Sequence, residues 1–283
     1  MQASGFFSGR RSSGGGIVFP DLIDLGFLHL KTYGACMATG FLLCWMLVEK
    51  LSGRKDLSNL LLALMIGGVT GSRIAYVIEH WQAEFAAHPE QIIRVDQGGL
   101  MFYGGFILSF VVFFVWCFLK KERPLALADL LAAVIPLGHA FGRIGCFFYG
   151  CCYGRDSDAW CAVTFPVGSP CWYEHGRKIV SVLPTQLFEA AALLALFGAL
   201  MWVWRLRGTV PDAPRVAGAG RGDGLILGLY LIGYAVIRFF IEILRGDPRA
   251  AVGPFSISQT ISIGMVVVGL AFVFLSTRKA SVR

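Results

Sequence analysis

Residues 224–244 read GLILGLYLIGYAVIRFFIEIL, a run whose only charges are Arg238 and Glu242. As an α-helix rising about 1.5 Å per residue, some 20 apolar residues cross the hydrocarbon layer of a bilayer. Six further runs of this kind occur, at 32–50, 58–80, 99–119, 125–147, 184–204 and 257–277. Over all 283 residues, 56% are hydrophobic and 15% charged, and the mean hydropathy is +0.65. A soluble chain carries about a quarter charged residues, so an aqueous fold is excluded. The expected fold class is an all-α integral membrane protein of seven transmembrane helices. The net charge of +7 does not point to nucleic acid, because the basic residues sit in the short connections between apolar runs, where they set orientation.

Setting aside Arg73, Arg143 and Arg238, which fall inside apolar runs, the connections after spans one, three and five and the C-terminal tail hold thirteen Lys and Arg, against nine on the other side. The bias places the N-terminus outside and the C-terminus in the cytoplasm. The first fifteen residues lack the apolar core of a cleavable signal peptide. The domain reading is an N-terminal outer or interfacial segment over 1–31, a transmembrane domain over 32–277 and a cytoplasmic tail over 278–283. Within the membrane domain, 148–183 is a small outer cap and 206–223 a cytoplasmic Gly/Pro/Ala-rich loop.

A charge inside a membrane span costs at least about 2.5–3.5 kcal/mol unless paired or solvated. Arg73, Arg143 and Arg238 all lie on outward-running spans within about two turns of the outer end. On the inward-running spans, Tyr33, the Gln97–Gly105 stretch, Gln186 and Glu189 reach the same depth. Tyr234, Arg238, Glu242 and Arg245 follow i, i+4, i+8, i+11, one stripe on which Glu242 can brace either arginine. His139, Gly142, Arg143 and Cys146 form a second stripe at i, i+3, i+4, i+7. Interfacial ion pairs and snorkelling arginines are the plain explanation. Three arginines with only Glu189 and Glu242 nearby leave an excess positive charge, and the abundant anion at that depth is a lipid phosphate, which guanidinium binds bidentately.

Gly67 and Gly71 form GxxxG, a close-packing signal. Gly104 and Gly105 at the start of span three, and Gly142, Gly145 and Gly154 around the end of span four, are denser than packing alone requires and can free backbone amides for an oxyanion. Of eight cysteines, Cys36, Cys44 and Cys117 lie within spans as packing residues. Cys151, Cys152, Cys161 and Cys171 lie in the cap, where disulfides are open to them in an oxidising compartment. The five histidines fall in separate segments, so no metal ligand set and no cofactor is expected.

These residues form motifs: FPDLIDLGFLHLKTYG at 19–34, GGVTGSRIAYV at 67–77, GGLMFYGGFI at 98–107, PLGHAFGRIGCF at 136–147, PTQLFEA at 184–190, GYAVIRFFIEILRGD at 233–247 and SISQTIS at 256–262. Taken in this order, the chain resembles the prolipoprotein diacylglyceryl transferases, bacterial enzymes of the cytoplasmic (inner) membrane. The resemblance implies transfer of the diacylglyceryl group of phosphatidylglycerol to the lipobox cysteine of a prolipoprotein signal peptide, with release of glycerol phosphate. It implies that Arg143 and Arg238 hold the phosphate, that Tyr33 matches the family tyrosine at the start of span one, and that Gly142, Gly145, Gly154, Gln186, Glu189 and Glu242 match signature positions around the cavity. Tyr103 stands where the family has a histidine before Gly-Gly, Cys146 where it has an asparagine after GRIG, and Cys151 where it has a glutamate.

The implied chemistry is displacement at a glycerol carbon by a thiolate, with arginines stabilising the departing phosphate. The acceptor thiol, with a pKa of about 8.5, needs a base or a positive field. Tyr103 and His139 are the candidate bases, with Arg143 and Arg238 the catalytic arginines. Tyr33, Arg73, Gly104, Gly105, Gly142, Gly145, Gly154, Gln186, Glu189, Tyr234, Glu242 and Arg245 are the candidate substrate-binding residues. The partners expected are phosphatidylglycerol, the lipobox peptide and membrane lipids. A divergent transferase with another acceptor, and a non-catalytic protein that binds or translocates phospholipid, remain alternatives.

Overall fold

The computed structural model describes residues 21–24, 29–86, 88–93, 99–207, 222–247 and 251–281. Seven helices are long and apolar enough to cross a membrane: α1 (Thr32–Ser52), α2 (Leu57–Glu79), α3 (Phe102–Lys120), α4 (Pro124–Tyr149), α6 (Thr185–Leu206), α7 (Leu225–Leu244) and α8 (Ile257–Ser281). The protein is a multi-pass, all-α membrane protein. The eighth helix, α5 (Pro170–Glu174), is one short turn in the connection between α4 and α6. Three two-stranded antiparallel hairpins decorate the bundle: β1 (Asp21–Asp24) with β2 (His29–Lys31), β3 (Val163–Thr164) with β4 (Ser181–Val182), and β5 (Ala251–Val252) with β6 (Phe255–Ser256).

The helices pack in the order α3, α2, α1, α4, α6, α7, α8, with α4 central because it also touches α7. Small residues set the closest approaches, as expected where lipid supplies no hydrophobic drive between helices. A Cβ on Gly40 of α1 would stand 2.7 Å from the Phe141 Cβ of α4. Where α7 meets α8, a Cβ on Gly228 or Gly269 would each come within 2.8 Å of the other's carbonyl oxygen. The GxxxG reading of α2 holds: a Cβ on Gly67 would meet Val112 at 3.1 Å and one on Gly71 would meet the Leu108 Cβ at 2.6 Å. Gly104 and Gly105 lie at this same crossing, with Gly104 against the Gly71 carbonyl and a Gly105 Cβ placed 2.6 Å from the Gly68 carbonyl. Packing against α2 therefore requires both to lack a side chain.

The main apolar core lies where α1, α2, α4, α6 and α7 converge, around Val48, Leu57, Leu60, Leu127, Leu130, Leu200 and Ile226. A buried polar junction adjoins it. Asp129 of α4 accepts the backbone N–H groups of Gly224 (2.9 Å) and Leu227 (2.8 Å) and pairs with Arg207 at 3.1 Å. A carboxylate from another helix thus satisfies amides that the start of α7 leaves open.

At the other end, the 150–184 connection folds on its own small core of Phe147, Tyr153, Phe165, Cys171 and Val182. Its backbone is stitched to the bundle by the Gly154–Arg245 bridge. Gly154 is required there, since a Cβ would lie 2.7 Å from that of Leu183 and 2.8 Å from the Leu244 carbonyl.

Two boundaries differ from the sequence reading by more than two residues. Span three begins at Phe102 rather than 99, because Gly99 takes φ +72 and breaks the run. The last helix continues to Ser281, through most of the expected tail. Most of the 1–31 segment, the bulk of the 206–223 loop (208–221), and Gln97 and Gly98 lie outside the described residues.

Candidate functional site

The α7 stripe predicted from spacing is real, and α6 completes it. Arg238 pairs with Glu242 at 2.6 Å, one turn along, and donates to the Ser258 hydroxyl of α8 at 3.0 Å. Both are buried, and Arg238 Nη1 has no hydrogen-bond partner among the described residues. Facing it from α4, Arg143 Nε lies 3.1 Å from Glu189 of α6, an ion pair without hydrogen-bond alignment. Glu189 is 1% exposed and acts electrostatically on both arginines. Tyr234 interacts electrostatically with Arg143, and its ring packs 5.0 Å from that of His139. Two guanidinium groups, each positioned by a buried carboxylate, thus share one end of the α4–α6–α7 junction. Beside Arg238, Ala235, Val236, Phe239, Phe240, Ser262, Ile263 and Val266 line an apolar groove between α7 and α8.

Arg245 differs from expectation. Its guanidinium is gripped bidentately by Asp247 at 2.8 and 2.7 Å, instead of by Glu242. The residue beyond the stripe supplies this carboxylate, which periodicity alone does not reveal. Arg143, Arg238 and Arg245 thus face Glu189, Glu242 and Asp247 one to one, while Arg73, counted with Arg143 and Arg238 in the expected excess, donates to backbone carbonyls.

Arg73 is buried on the α2–α3 arm. It donates to the carbonyls of Ile92 (2.9 Å), Gly99 (3.0 Å) and Gln91 (2.6 Å), and its guanidinium stands over the rings of Tyr76 and Phe85. These contacts hold together the connection leading into α3. Tyr103 is 59% exposed at the start of α3, packed edge-on against Phe102. Among the described residues it makes no hydrogen bond to Arg143 or Arg238.

Tyr33 starts α1 and lies across Gly145 of α4, whose added Cβ would stand 3.0 Å from the tyrosine ring. A Cβ added to Gly142 would meet Met37 Sδ at an ordinary 3.4 Å. Gln186 is buried and donates through Nε2 to the Cys151 carbonyl at 2.7 Å, while Thr185 donates to the Cys152 carbonyl at 2.9 Å. Both hydrogen bonds tie the start of α6 to the turn after α4. All eight cysteines are free. The sulfurs of Cys146, Cys151 and Cys152 nevertheless lie within 4.8 Å of one another, a ligand set that the separate histidines had argued against in the sequence. Away from this cluster, burial pushes the Cys171 thiol up to about 12, with Glu174 and Asp156 adding to the shift. Sequence reasoning also missed Asp129, a lone acid in an apolar run, and Ser258.

The prolipoprotein diacylglyceryl transferase family model matches residues 20–275. The chain belongs to this family. It is 31% identical over 279 residues, covering 94% of this chain and 95% of its relative, to the phosphatidylglycerol–prolipoprotein diacylglyceryl transferase of Pseudoalteromonas translucida. The similarly named proteins of Clostridium tetani (32% identity, 90% of this chain and 96% of the relative) and Aliivibrio fischeri (33%, 89% and 85%) match at comparable length. The match takes in every helix described above except the last residues of α8.

Proposed function

We propose that this chain transfers the diacylglyceryl group of phosphatidylglycerol to the thiol of a lipobox cysteine in a prolipoprotein, releasing glycerol phosphate. Family membership supports the transferase activity. The observation that supports the site is the pair Arg143 and Arg238, held on facing helices by Glu189 and Glu242 with one buried N–H of Arg238 left open. An apolar groove beside Arg238 suits the acyl chains of the same donor. In the reaction, the acceptor sulfur attacks the glycerol carbon and the carbon–oxygen bond to phosphate breaks. The electron pair leaves on a phosphate oxygen, where fixed guanidinium groups stabilise charge that grows in the transition state.

The Lys and Arg distribution supports an inner-membrane protein with its N-terminus outside, which would put the arginine pair and the 150–184 cap on the outer face. The experiment is incubation of the purified chain with phosphatidylglycerol and a peptide bearing one lipobox cysteine. Mass spectrometry reads the peptide adduct, and a second assay reads glycerol phosphate. An adduct lost in Arg143→Ala supports the reading. Glycerol phosphate without an adduct indicates another acceptor, and neither product leaves lipid binding alone.

A further inference from the structure

Three thiols meet at the end of α4, beside the arginines but outside the phosphate site. Gly150, at φ +77, ends the helix, and its N–H and that of Cys151 both turn back to the Cys146 carbonyl, at 3.0 and 3.2 Å. This reversal folds Cys151 and Cys152 over Cys146. Cys152 itself holds φ +63, a left-handed conformation uncommon for a residue with a side chain and kept only where its surroundings impose it. Gln186 and Thr185 fix the two carbonyls of the turn from α6. The cluster is therefore built by the fold, and all three residues are half-buried, with access from outside.

Sulfurs bound to one zinc ion at about 2.3 Å stand roughly 4 Å apart. The three sulfurs already lie within 4.8 Å of one another, so closure requires shifts of less than about 1 Å. Among the described residues no fourth His, Cys, Asp or Glu joins them. Four protein ligands make a structural zinc site, whereas three leave a position for a substrate. Arg245 interacts electrostatically with Cys152, and Arg143 is one helical turn from Cys146, so cations offset the charge of three thiolates.

The transfer reaction needs an ionised acceptor thiol at this end of the bundle, and among the described residues neither base expected from the sequence makes a hydrogen bond to the three thiols. Tyr103 stands on the α2–α3 arm, and His139 packs on Tyr234. We propose that Cys146, Cys151 and Cys152 form an open three-thiolate site for a thiophilic divalent ion of the zinc type, which takes the acceptor cysteine as its fourth ligand. This role rests on the transfer reading. The acceptor releases its thiol proton to water on binding, and metal-bound thiolate is the species that thiol chemistry uses. A sulfur lone pair then forms the bond to the glycerol carbon as the carbon–oxygen bond breaks and its electron pair leaves on phosphate. The product thioether is uncharged, binds the ion weakly and departs. No oxidant or reductant is consumed.

The test titrates Co(II), a spectroscopic stand-in for zinc, into the full chain in detergent under reducing conditions. The expected result is one ion per chain with a sulfur-to-metal charge-transfer band. Affinity falls at least tenfold in Cys151→Ser and in Cys152→Ser, each checked for wild-type melting, and is unchanged in Cys161→Ser. A cysteine peptide alters the band, whereas its serine counterpart does not. Chelation lowers transfer at least tenfold and zinc restores it.

The proposal is overturned by absence of the band, by a band indifferent to the cysteine peptide, or by isolation of the metal-free protein with two of these thiols joined in a disulfide. Peptide adduct formed at full rate after chelation, without a band, refutes the metal site and leaves the transfer reading standing. A band that responds to the cysteine peptide in a protein making no adduct supports the metal site and refutes transfer.

Discussion

Replacing Glu189 by Gln keeps the shape of the site and removes one charge, so stability and donor affinity should move in opposite directions. Glu189 is 1% exposed, and the Arg143 side chain it faces is 16% exposed. Removing one partner of a buried ion pair costs about 3–5 kcal/mol. Arg143 keeps an accessible edge and its electrostatic interaction with Tyr234, which favours the low end, about 3 kcal/mol. A phosphate arriving at the freed guanidinium no longer competes with a carboxylate. A hydrogen bond to a charged group contributes about 1.5–3 kcal/mol, and 1.4 kcal/mol is tenfold in affinity, so phosphatidylglycerol should bind the variant about tenfold or more tightly than wild type. Chemical unfolding in mild detergent, followed by tryptophan fluorescence, reads both effects when phosphatidylglycerol is titrated against zwitterionic phosphatidylcholine. The variant should be less stable without anionic lipid and recover much of the loss with it. Equal recovery in both lipids, or no initial loss, would refute a phosphate role for the Arg143–Glu189 pair.

Arg238→Lys keeps the charge but loses Nη1, the nitrogen left without a hydrogen-bond partner among the described residues while Nη2 meets Glu242 and Ser258, and with it the planar fork that binds phosphate bidentately. Turnover should fall about a hundredfold, with a smaller change in donor KM, as steady-state kinetics would show. Gly71→Ala puts a Cβ 2.6 Å from that of Leu108 and should cost about 1–3 kcal/mol by overpacking, read as a lower unfolding midpoint. Asp129→Asn loses the charge that Arg207 and the start of α7 share. It should cost about 1.5–3 kcal/mol in the same assay, without altering turnover per folded molecule, because it lies at the other end of the bundle. Cys171 has a folded pKa raised from about 9 to about 12. Its contribution is complete below pH 9 and is lost as pH rises towards 12, since the unfolded thiol ionises first. Alkaline unfolding of Cys171→Ala should show a shallower slope over that window.

The seven helices were legible because each must be about 20 residues long and apolar on every face that lipid touches. The i, i+4 rule likewise placed Arg238 with Glu242, an interaction within one helix. What failed depended on chain reversals. Asp247 reaches Arg245 only after α7 has ended, and the carbonyls that hold Arg73 belong to Gln91, Ile92 and Gly99, beyond the end of α2. The thiol cluster needs the left-handed turn at Gly150, so a C-x4-C-C spacing without that geometry gave no ligand signal. Tyr103 had the expected sequence position, but its side chain is exposed and packs on Phe102.

The one-to-one balance of arginines and carboxylates changes the account of anion recognition. An unpaired arginine cluster in a bilayer would bind any phosphate tightly, product included, and such uniform binding would hinder release without accelerating chemistry. Here Glu189 and Glu242 already oppose the guanidinium groups of Arg143 and Arg238. In the proposed transfer a singly charged phosphodiester competes with them, and it gains most as the breaking bond adds negative charge. The carboxylates therefore orient the arginines beforehand, limit ground-state binding and leave the larger part of the attraction for the transition state. The same balance lets the doubly charged product exchange its arginine contacts back to Glu189 and Glu242 as it leaves. Lipid binding alone requires no such opposition, and so the paired arrangement favours turnover over a passive lipid site.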